Sequence, residues 1–374
     1  MIKQRALGPG RRGRRSDMEG PQTERVVRQL RELYRRYGYT QYRMSKFEPY
    51  DLYVRNKSFL VSEDILTFTD ADGRLMALKP DVTLSIVKDA KKGSGLQKVC
   101  YSENVYRTSP MSRSFREIMQ TGLECVGEID LVAMGEVLLL AAKSLETVSG
   151  DYLLDVSHLG LAAGLLDSAG LPEEGRRELW AHMGEKNVPA LLACCRELGL
   201  DGDTAGSLCR LTSLYGPPEE LLPELEGMVR GERMAAALEE LGAVCALVPE
   251  GRLRLDFSIV SDMDYYNGLV FRGYLPGLPD SVLSGGRYDN LLRQMGRKDA
   301  AIGFAVYMDL LDRLEGGPDG PDADVLLLYK DGTPARAVLE EAGSLRQAGQ
   351  SVRVERQVPE GLTFRTVRKA GERG

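Results

Sequence analysis

The alternation of polar and apolar residues in SFREIMQTGLECVG (114–127) constrains the fold more than any other feature of this chain. Successive side chains of a strand point to opposite sides. One face therefore carries Gln120, Gly122 and Glu124, and the other carries Met119, Thr121, Leu123 and Cys125. A polar face centred on glycine is unusual for a sheet that packs against helices, and glycine lets a ligand approach the backbone closely. The segment predicts either a solvated strand face or a ligand site on a sheet.

Further strand and helix patterns precede this segment. DILTFTDADGRLMAL (64–78) has two short strand-like runs around Asp72-Gly73, which predicts a hairpin. LQKVCYSENVYR (96–107) is a strand pattern joined to residues 114–127 by the polar loop TSPMSR (108–113). ERVVRQLRELYRRYG (24–38) has helical periodicity and ends at a glycine. The first third is therefore expected to be mostly antiparallel sheet, with helices before and after it.

The later sequence alternates between helical and strand-like texture. From Asp155 to about Val248, helix patterns are broken by Gly and Pro, which predicts a helical insertion. Strand patterns return at RLRLDFSIV (252–260) and DYYNGLVFRGY (264–274), while SGGRYD (284–289) suggests a glycine pair at a turn beside a cation. IGFAVYMDLLDRL (302–314) is typical of a strand that leads into a helix. One sheet domain, interrupted by helices, is the expected result.

The ends of the chain differ from this domain. Residues 1–21 are basic and rich in Gly, Pro and Arg, and are expected to form a disordered tail. The sheet domain is expected over 22–315, with the insertion at about 155–248, followed by a linker at 316–324. Residues 325–374 are expected to form a truncated α/β unit: strand, helix and strand up to residue 355, then a loosely ordered end.

Composition excludes several classes of function. A net charge of −6 and a pI near 5.4 give no general attraction to nucleic acid or anionic membrane. The most apolar stretch, residues 131–148, is interrupted by Glu136 and Lys143, which favours a buried helix over a membrane span. Six cysteines without CxxC spacing and only two histidines predict neither a metal site nor a cofactor. A cytoplasmic protein is expected.

Two more segments hold candidate ligand-binding residues. In ALKPDVTLSIVK (77–88), Asp81 and Thr83 offer oxygen acceptors to an ammonium group, although Asp81 also fits a helix N-cap. MDYYNG (263–268) offers Asp264 and two adjacent tyrosines, whose hydroxyls need partners when buried. The alternative for the tyrosines is a place in the core.

Taken in order, these motifs resemble the histidyl-tRNA synthetase family, which includes that enzyme and its paralogue, the regulatory subunit of ATP phosphoribosyltransferase. The resemblance covers about residues 22–315. It implies an α+β fold of the class II aminoacyl-tRNA synthetase type: an antiparallel sheet flanked by helices, with a helical insertion and a small C-terminal α/β unit. It also implies that the histidine-binding positions are Asp81, Thr83, Arg107, Gln120, Glu124, Tyr265 and Tyr266. Carboxylate and amide oxygens suit the α-ammonium group, and Glu124 with a phenol suits the two imidazole nitrogens.

Departures from the synthetase pattern separate the two relatives. Ser261 and Leu310 stand where the synthetase has arginines. Arg107 matches the arginine of the synthetase's motif 2, but the glutamate that follows that arginine in the synthetase is lost here. Aspartate at 81 replaces glutamate, and Ser45 replaces the motif 1 proline. Adenylation requires cations aimed at the α-phosphate, and losing one preorganised donor costs roughly 10²–10³ in rate. No catalytic residue is therefore expected.

The resemblance thus implies a non-catalytic regulatory subunit. Residues 155–171 and 186–222 are similar to that subunit, and His158 is expected to be structural, at a helix start. The implied partner is the short catalytic subunit of ATP phosphoribosyltransferase, which condenses ATP with phosphoribosyl pyrophosphate to open histidine biosynthesis. Self-dimerisation within a hetero-oligomer and L-histidine as an effector are also implied; tRNA and membrane are not. The alternatives are an active histidyl-tRNA synthetase and a degenerate paralogue that binds histidine or RNA for another partner.

Overall fold

A computed structural model describes residues 21–56, 65–91, 93, 95–108, 114–167, 169–249, 251–260, 265–311 and 321–371. The chain divides into a large unit, Val26–Leu314, and a small unit that contains Glu315–Gly374. The predicted basic tail lies outside the described residues up to position 20, and so does the predicted linker at residues 316–320.

The elements before the insertion begin with a helix. They are α1 (Pro21–Arg36), β1 (Thr40–Gln41), β2 (Phe47–Pro49), α2 (Tyr50–Arg55), β3 (Thr67–Thr69), β4 (Leu75–Leu78), α3 (Thr83–Asp89), β5 (Gln97–Thr108), β6 (Phe115–Gly127) and α4 (Leu131–Val148). The predicted hairpin is confirmed: β3 and β4 pair antiparallel, and Gly73 between them has a φ of 78°.

The remaining elements alternate in the way the sequence indicates. They are β7 (Leu153–His158), α5 (Leu159–Leu166), α6 (Glu173–Gly184), α7 (Val188–Glu197), α8 (Gly202–Ser213), β8 (Tyr215–Gly216), α9 (Pro218–Glu226), α10 (Gly231–Cys245), β9 (Leu253–Asp256), β10 (Leu269–Tyr274), β11 (Leu283–Arg287), α11 (Asp289–Gln294), β12 (Ala300–Tyr307), α12 (Met308–Leu311), β13 (Ala323–Leu328), α13 (Ala335–Gln347), β14 (Val352–Glu355) and β15 (Phe364–Lys369), with β5 and β6 preceding β7.

The large unit contains a nine-stranded sheet with the strand order β1-β5-β6-β12-β11-β10-β7-β9-β8 and a small three-stranded sheet with the order β2-β4-β3. The class II synthetase-like fold is confirmed, but the sheet is mixed, because β1 pairs parallel to β5 and β7 pairs parallel to β9. Both parallel pairs join strands separated by long crossover segments, as parallel pairing requires. Within the run β5-β6-β12-β11-β10-β7, every pair of adjacent strands is antiparallel.

Helices α1 and α4 cover one face of this sheet. The Tyr34 hydroxyl in α1 lies 2.9 Å from Ser144 Oγ in α4, and the Tyr34 ring meets Phe304 of β12 edge to face at 6.0 Å. Leu123 and Cys125 of β6 are fully buried in the same cluster. Residues 131–148 form α4, the buried helix that the sequence predicts, and no helix within the described ranges is both long and apolar enough to cross a membrane. The opposite face of the sheet carries Gln120, Gly122 and Glu124, and the candidate functional site lies on that face.

The helical insertion begins later than the sequence suggests. Residues 155–158 belong to β7, so the helices start at Leu159 rather than at Asp155. The alternation of Leu154 and Val156 with Asp155 and Ser157 is that of a strand with two different faces. The insertion also returns a two-residue strand, β8, to the edge of the sheet beside β9.

The small unit has three parallel strands in the order β14-β13-β15, with α13 joining β13 to β14. The strand–helix–strand pattern up to residue 355 is confirmed. The expectation of a loose end was wrong, because β15 pairs with β13 between Ala323↔Phe364 and Leu328↔Lys369. In FRTVRK the two apolar residues, Phe364 and Val367, are three positions apart, so no alternation indicated this strand.

Candidate functional site

Glycines on the sheet face opposite α1 and α4 let larger side chains lie directly on the backbone. Gly303 of β12 stands opposite Glu124 of β6, and a Cβ at position 303 would lie 1.7 Å from Glu124 Oε2. Gly122 stands opposite Tyr101 of β5, whose hydroxyl would be 2.6 Å from an added Cβ. The Glu124 and Tyr101 side chains therefore occupy the space that two Cβ atoms would need.

The SGGRYD segment differs from its prediction. Gly285 and Gly286 lie inside β11, not in a turn. A Cβ at Gly286 would come within 2.8 Å of the Tyr266 ring, and one at Gly285 would be 2.7 Å from Phe271. The pair is needed because aromatic side chains cross both faces of the strand at this point.

Glu124 is the centre of a buried hydrogen-bond network. Its side chain is almost wholly inaccessible, at 2% exposure. Thr83 Oγ1 donates to Glu124 Oε1 at 2.8 Å, and the Tyr288 hydroxyl donates to Glu124 Oε2 at 2.5 Å. Each carboxylate oxygen therefore has a hydroxyl partner held by a different element, α3 or the residue before α11.

Three tyrosines enclose this network. The Tyr265 hydroxyl shares a hydrogen bond with Thr83, which links it to Glu124. The Tyr265 ring meets the Tyr266 ring edge to face at 4.7 Å and lies 5.6 Å from the Tyr288 ring. The structure therefore brings Thr83, Glu124, Tyr265 and Tyr266 together, as the sequence predicts.

Burial raises the pKa of both acids at the site. Loss of hydration raises the pKa of Glu124 to about 8, against the opposing hydrogen bonds from Tyr288 and Thr83, and the nearby Asp81 charge raises it further. Burial also raises the pKa of Asp81, opposed by the Leu84 amide and by Arg107. At neutral pH Glu124 is mostly a carboxylic acid, which can donate one hydrogen bond and accept others.

Asp81 performs the capping role that its position allows. Asp81 Oδ1 accepts from the Leu84 amide of α3 at 2.9 Å. Arg107 Nε donates to the Pro80 carbonyl oxygen at 2.9 Å, which holds the guanidinium beside this turn. Asp81 and Arg107 therefore both lie at the N-terminal end of α3, next to Thr83.

Gln120 lies on the same sheet face as Glu124, two residues along β6, and is 4% exposed. Its neighbour across the strands is Glu103, which accepts from Lys79 Nζ at 2.5 Å. Lys79 is 1% exposed, so this ion pair places a compensated charge at the rim of the site. No sequence motif indicated this ion pair.

A second network supports the tyrosine segment from behind. Asn267 Nδ2 donates to Asp289 Oδ2 at 3.3 Å, and Asn267 Oδ1 accepts from the Asp289 amide at 2.6 Å. Arg287 Nε donates to the same Asp289 oxygen at 2.9 Å, and Arg287 Nη1 lies 3.6 Å from Glu240 of α10. The residues next to the pocket tyrosines are thereby fixed to one another and to the insertion.

His158 joins this support and has the structural role expected of it. Its Nδ1 accepts from the Gly160 amide at 3.1 Å, which caps α5. That contact assigns the proton to Nε2, which lies 3.0 Å from Glu240 Oε1. The same contact lowers the pKa of Glu240.

Some predicted positions fall elsewhere. Ser261 and Asp264 lie outside the described residues. Leu310 is in α12 and packs against the main hydrophobic core. Ser45 is exposed, and its Oγ accepts from the Phe47 amide at 3.3 Å. Within the described ranges, no three His, Cys, Asp or Glu side chains are grouped as a metal site would require.

Sequence reasoning missed Tyr288 and Tyr101. Tyr288 lies in the SGGRYD motif, and a buried tyrosine hydroxyl needs a hydrogen-bond acceptor. The sequence did not show which residue that acceptor is. Tyr101 follows from register: pairing residues 96–107 with 114–127 places it opposite Gly122. Both are recoverable once the strand partners are known.

A comparison with protein families matches residues 15–311 to the histidyl-tRNA synthetase model. The ATP phosphoribosyltransferase regulatory subunit of Clostridium kluyveri is 30% identical over 337 residues, which are 86% of this chain and 85% of that protein. The subunit of the same name from Oceanobacillus iheyensis is 28% identical over 87% of this chain and 83% of that protein.

Solved structures give the same result for the fold. A Bacillus halodurans protein described as an ATP phosphoribosyltransferase regulatory subunit/histidyl-tRNA synthetase has a TM-score of 0.78 and 25% identity, covering 93% of this chain and 94% of that one. A chain of the ATP phosphoribosyl transferase complex from Thermotoga maritima has a TM-score of 0.59 at 19% identity, covering 76% of this chain and 96% of that one. The second likeness concerns the fold alone.

Proposed function

Because the chain belongs to the histidyl-tRNA synthetase family and, within it, to the ATP phosphoribosyltransferase regulatory subunits, we propose that it binds the short catalytic subunit of that enzyme. It activates that subunit and catalyses no reaction itself. The reaction it serves is the first step of histidine biosynthesis. Histidine bound at the Glu124 site is its feedback signal.

One contrast carries this proposal. The network of Glu124, Thr83 and Tyr288 is assembled, while the two arginine positions of the synthetase carry Ser261 and Leu310. Leu310 packs against the core and supplies no charge. A site that keeps its hydrogen-bonding acid but lacks these two cations for a phosphate suits recognition of an amino acid, not its activation.

The chemistry of Glu124 suits an imidazole. A buried carboxyl group with a pKa of about 8 donates to one imidazole nitrogen or transfers its proton to it. Neither arrangement requires a net change of charge in a site closed by three tyrosines. Asp81, Gln120 and Arg107 border the same site and are proposed to hold the amino and carboxylate groups of histidine.

The decisive experiment mixes the purified chain with the short catalytic subunit. A stable complex and a faster condensation of ATP with phosphoribosyl pyrophosphate are expected. The chain alone is expected to give no histidine-dependent exchange of pyrophosphate into ATP, because no cation stands at positions 261 and 310. Measurable exchange, or failure to form the complex, contradicts the proposal.

A variant separates the histidine site from the activating role. Glu124→Gln keeps the side-chain shape but removes the acid, so histidine is expected to inhibit the complex at least about tenfold less well. Proton transfer from Glu124 to the imidazole would form a charged hydrogen bond, which contributes about 1.5–3 kcal/mol and which glutamine cannot form. Glu128→Gln, at an exposed position just after β6, is the matched control and should leave inhibition unchanged. Equal inhibition of both variants would place the inhibitory site elsewhere.

A further inference from the structure

A groove in the helical insertion has no role in the site described above. It lies between α9 and α10, has a volume of about 530 Å³ and is lined by Leu222, Val229, Ala235 and Leu238, with Glu226 and Glu239 beside them. Both glutamates and Ala235 are exposed. The groove therefore offers an apolar surface with two carboxylates at hand.

The charge of the insertion defines what can bind there. Residues 155–248 contain 16 acidic and 7 basic side chains, a net charge of −9, whereas the whole chain carries −6. Among the described residues, neither Glu226 nor Glu239 has an ion-pair partner. A nucleic acid is repelled by such a surface. A polypeptide with apolar side chains next to Lys or Arg is complementary to it.

We propose that the α9–α10 groove is a docking site for a basic, amphipathic segment of the catalytic subunit. This inference rests on the proposed function, which supplies the partner. Leu222, Val229 and Leu238 receive the apolar side chains of the segment, as in other complexes where a helix lies in a groove, and Glu226 and Glu239 pair with its basic residues.

A chain of contacts links the groove to the Glu124 site. Glu239 lines the groove, and the next residue of α10, Glu240, contacts His158 and Arg287. Arg287 is adjacent in sequence to Tyr288, whose hydroxyl donates to Glu124. Docking against α10 therefore acts on the helix that supports the histidine site.

The test uses the full chain and the purified catalytic subunit. Reversing both charges, with Glu226→Lys and Glu239→Lys together, should weaken the complex about tenfold or more, measured as Kd by calorimetry, because like charges would then meet across the interface. Glu197→Lys in α7 changes an exposed insertion glutamate outside the groove and should alter Kd less than about twofold. Ala235→Trp fills the groove without a charge change and should also weaken binding.

The outcomes distinguish the two proposals. If the unaltered chain does not bind the catalytic subunit, the proposed function fails. If it binds and the groove variants bind equally well, the docking site is wrong. If the variants change only the oligomeric state of the isolated chain, measured by light scattering, the groove joins two copies of this chain and the proposal is also overturned. Histidine binding by each isolated variant checks that it is folded.

Discussion

At the scale of single residues, the candidate site depends on an absent side chain. Gly303 has no Cβ, and the Glu124 carboxylate lies where that atom would be. The Leu123 carbonyl oxygen is also only 2.4 Å from the Cβ position, so moving the glutamate would not relieve the contact. Backbone separation between β6 and β12 would have to increase.

We therefore expect Gly303→Ala to lower the free energy of unfolding by about 1–3 kcal/mol, the usual cost of overpacking a buried site. Histidine binding should be lost as well, because Glu124 must leave its place between Thr83 and Tyr288. Denaturant unfolding and calorimetry measure the two effects.

Gly206→Ala is the matched control. Gly206 lies inside α8, and an added Cβ meets nothing within 4 Å. Alanine is the better helix former, so this variant should gain about 0.5–1 kcal/mol of stability and bind histidine normally. Normal stability and normal histidine binding in Gly303→Ala would contradict this prediction, because they would show that β6 and β12 can move apart at little cost.

The residue-level predictions succeeded where chemistry is local. Alternation placed Gln120, Gly122 and Glu124 on one face, and capping logic found the Asp81 contact. Tyr288 was missed because its acceptor lies on β6, far away in the sequence. The position of a hydroxyl partner across a sheet depends on strand order, which a single sequence does not state.

At the scale of elements, the insertion is fastened to the sheet by a cluster of charges at β7 and β9. Lys186, between α6 and α7, has a φ of 52° and donates to Asp256 Oδ2 at 2.9 Å. The Tyr215 hydroxyl donates to Asp155 Oδ1 at 3.5 Å. Asp155 is 6% exposed and Asp256 is 7% exposed, so two carboxylates share one buried environment.

This cluster predicts a pH-dependent stability. Burial and the Asp256 charge raise the pKa of Asp155 from 3.8 to about 7, against the opposing effects of Lys186, Tyr215 and Arg254. The folded chain therefore holds a proton that the unfolded chain releases, and the resulting stabilisation is complete below about pH 3.8 and is lost as the pH rises to about 7. Glu124 adds a fall in the same direction up to about pH 8.

Asp155→Asn should flatten this profile. The free energy of unfolding, measured by denaturant between pH 5 and 8, should decline less in the variant than in the unaltered chain. Asp203→Asn, at an exposed position in α8, is the control and should keep the full decline. An unaltered slope in Asp155→Asn would mean that Asp155 ionises normally.

Element types were predictable from periodicity, whereas several pairings were not. Strands β5 and β6 and the βαβ order of the small unit follow from their patterns. The glycines of β11 resembled a turn because glycine marks both turns and close packing. The charges of β15 resembled a loose end because the strand is exposed at every residue after Phe364.

At the scale of the whole molecule, thermodynamic linkage joins the two proposals. If histidine binds the complex and the isolated chain with different affinities, the catalytic subunit must change its affinity for the chain by the same factor when histidine is present. We expect the two factors to agree within error and to lie in the range of about 5–150, as couplings of this kind do.

Calorimetry measures both factors: histidine is titrated into the chain with and without the catalytic subunit, and the catalytic subunit is titrated into the chain with and without histidine. Glu124→Gln should bring both factors towards one, because the proposal makes the Glu124 site responsible for both. Inhibition by histidine without any change in either affinity would require a different mechanism of control.

The register of the central sheet has a consequence for the biosynthesis of the chain. Glu124 is paired with Gly303, and β12 is the last strand of that sheet to leave the ribosome. Helices α6, α7 and α8 contact their neighbours in sequence and can fold as they emerge, whereas α5 must wait for α10, and β6, already paired with β5, must wait for β12 on its other edge. The β6 edge that pairs with β12 is therefore exposed until late in translation, and the proposed histidine site forms only when the large unit is nearly complete.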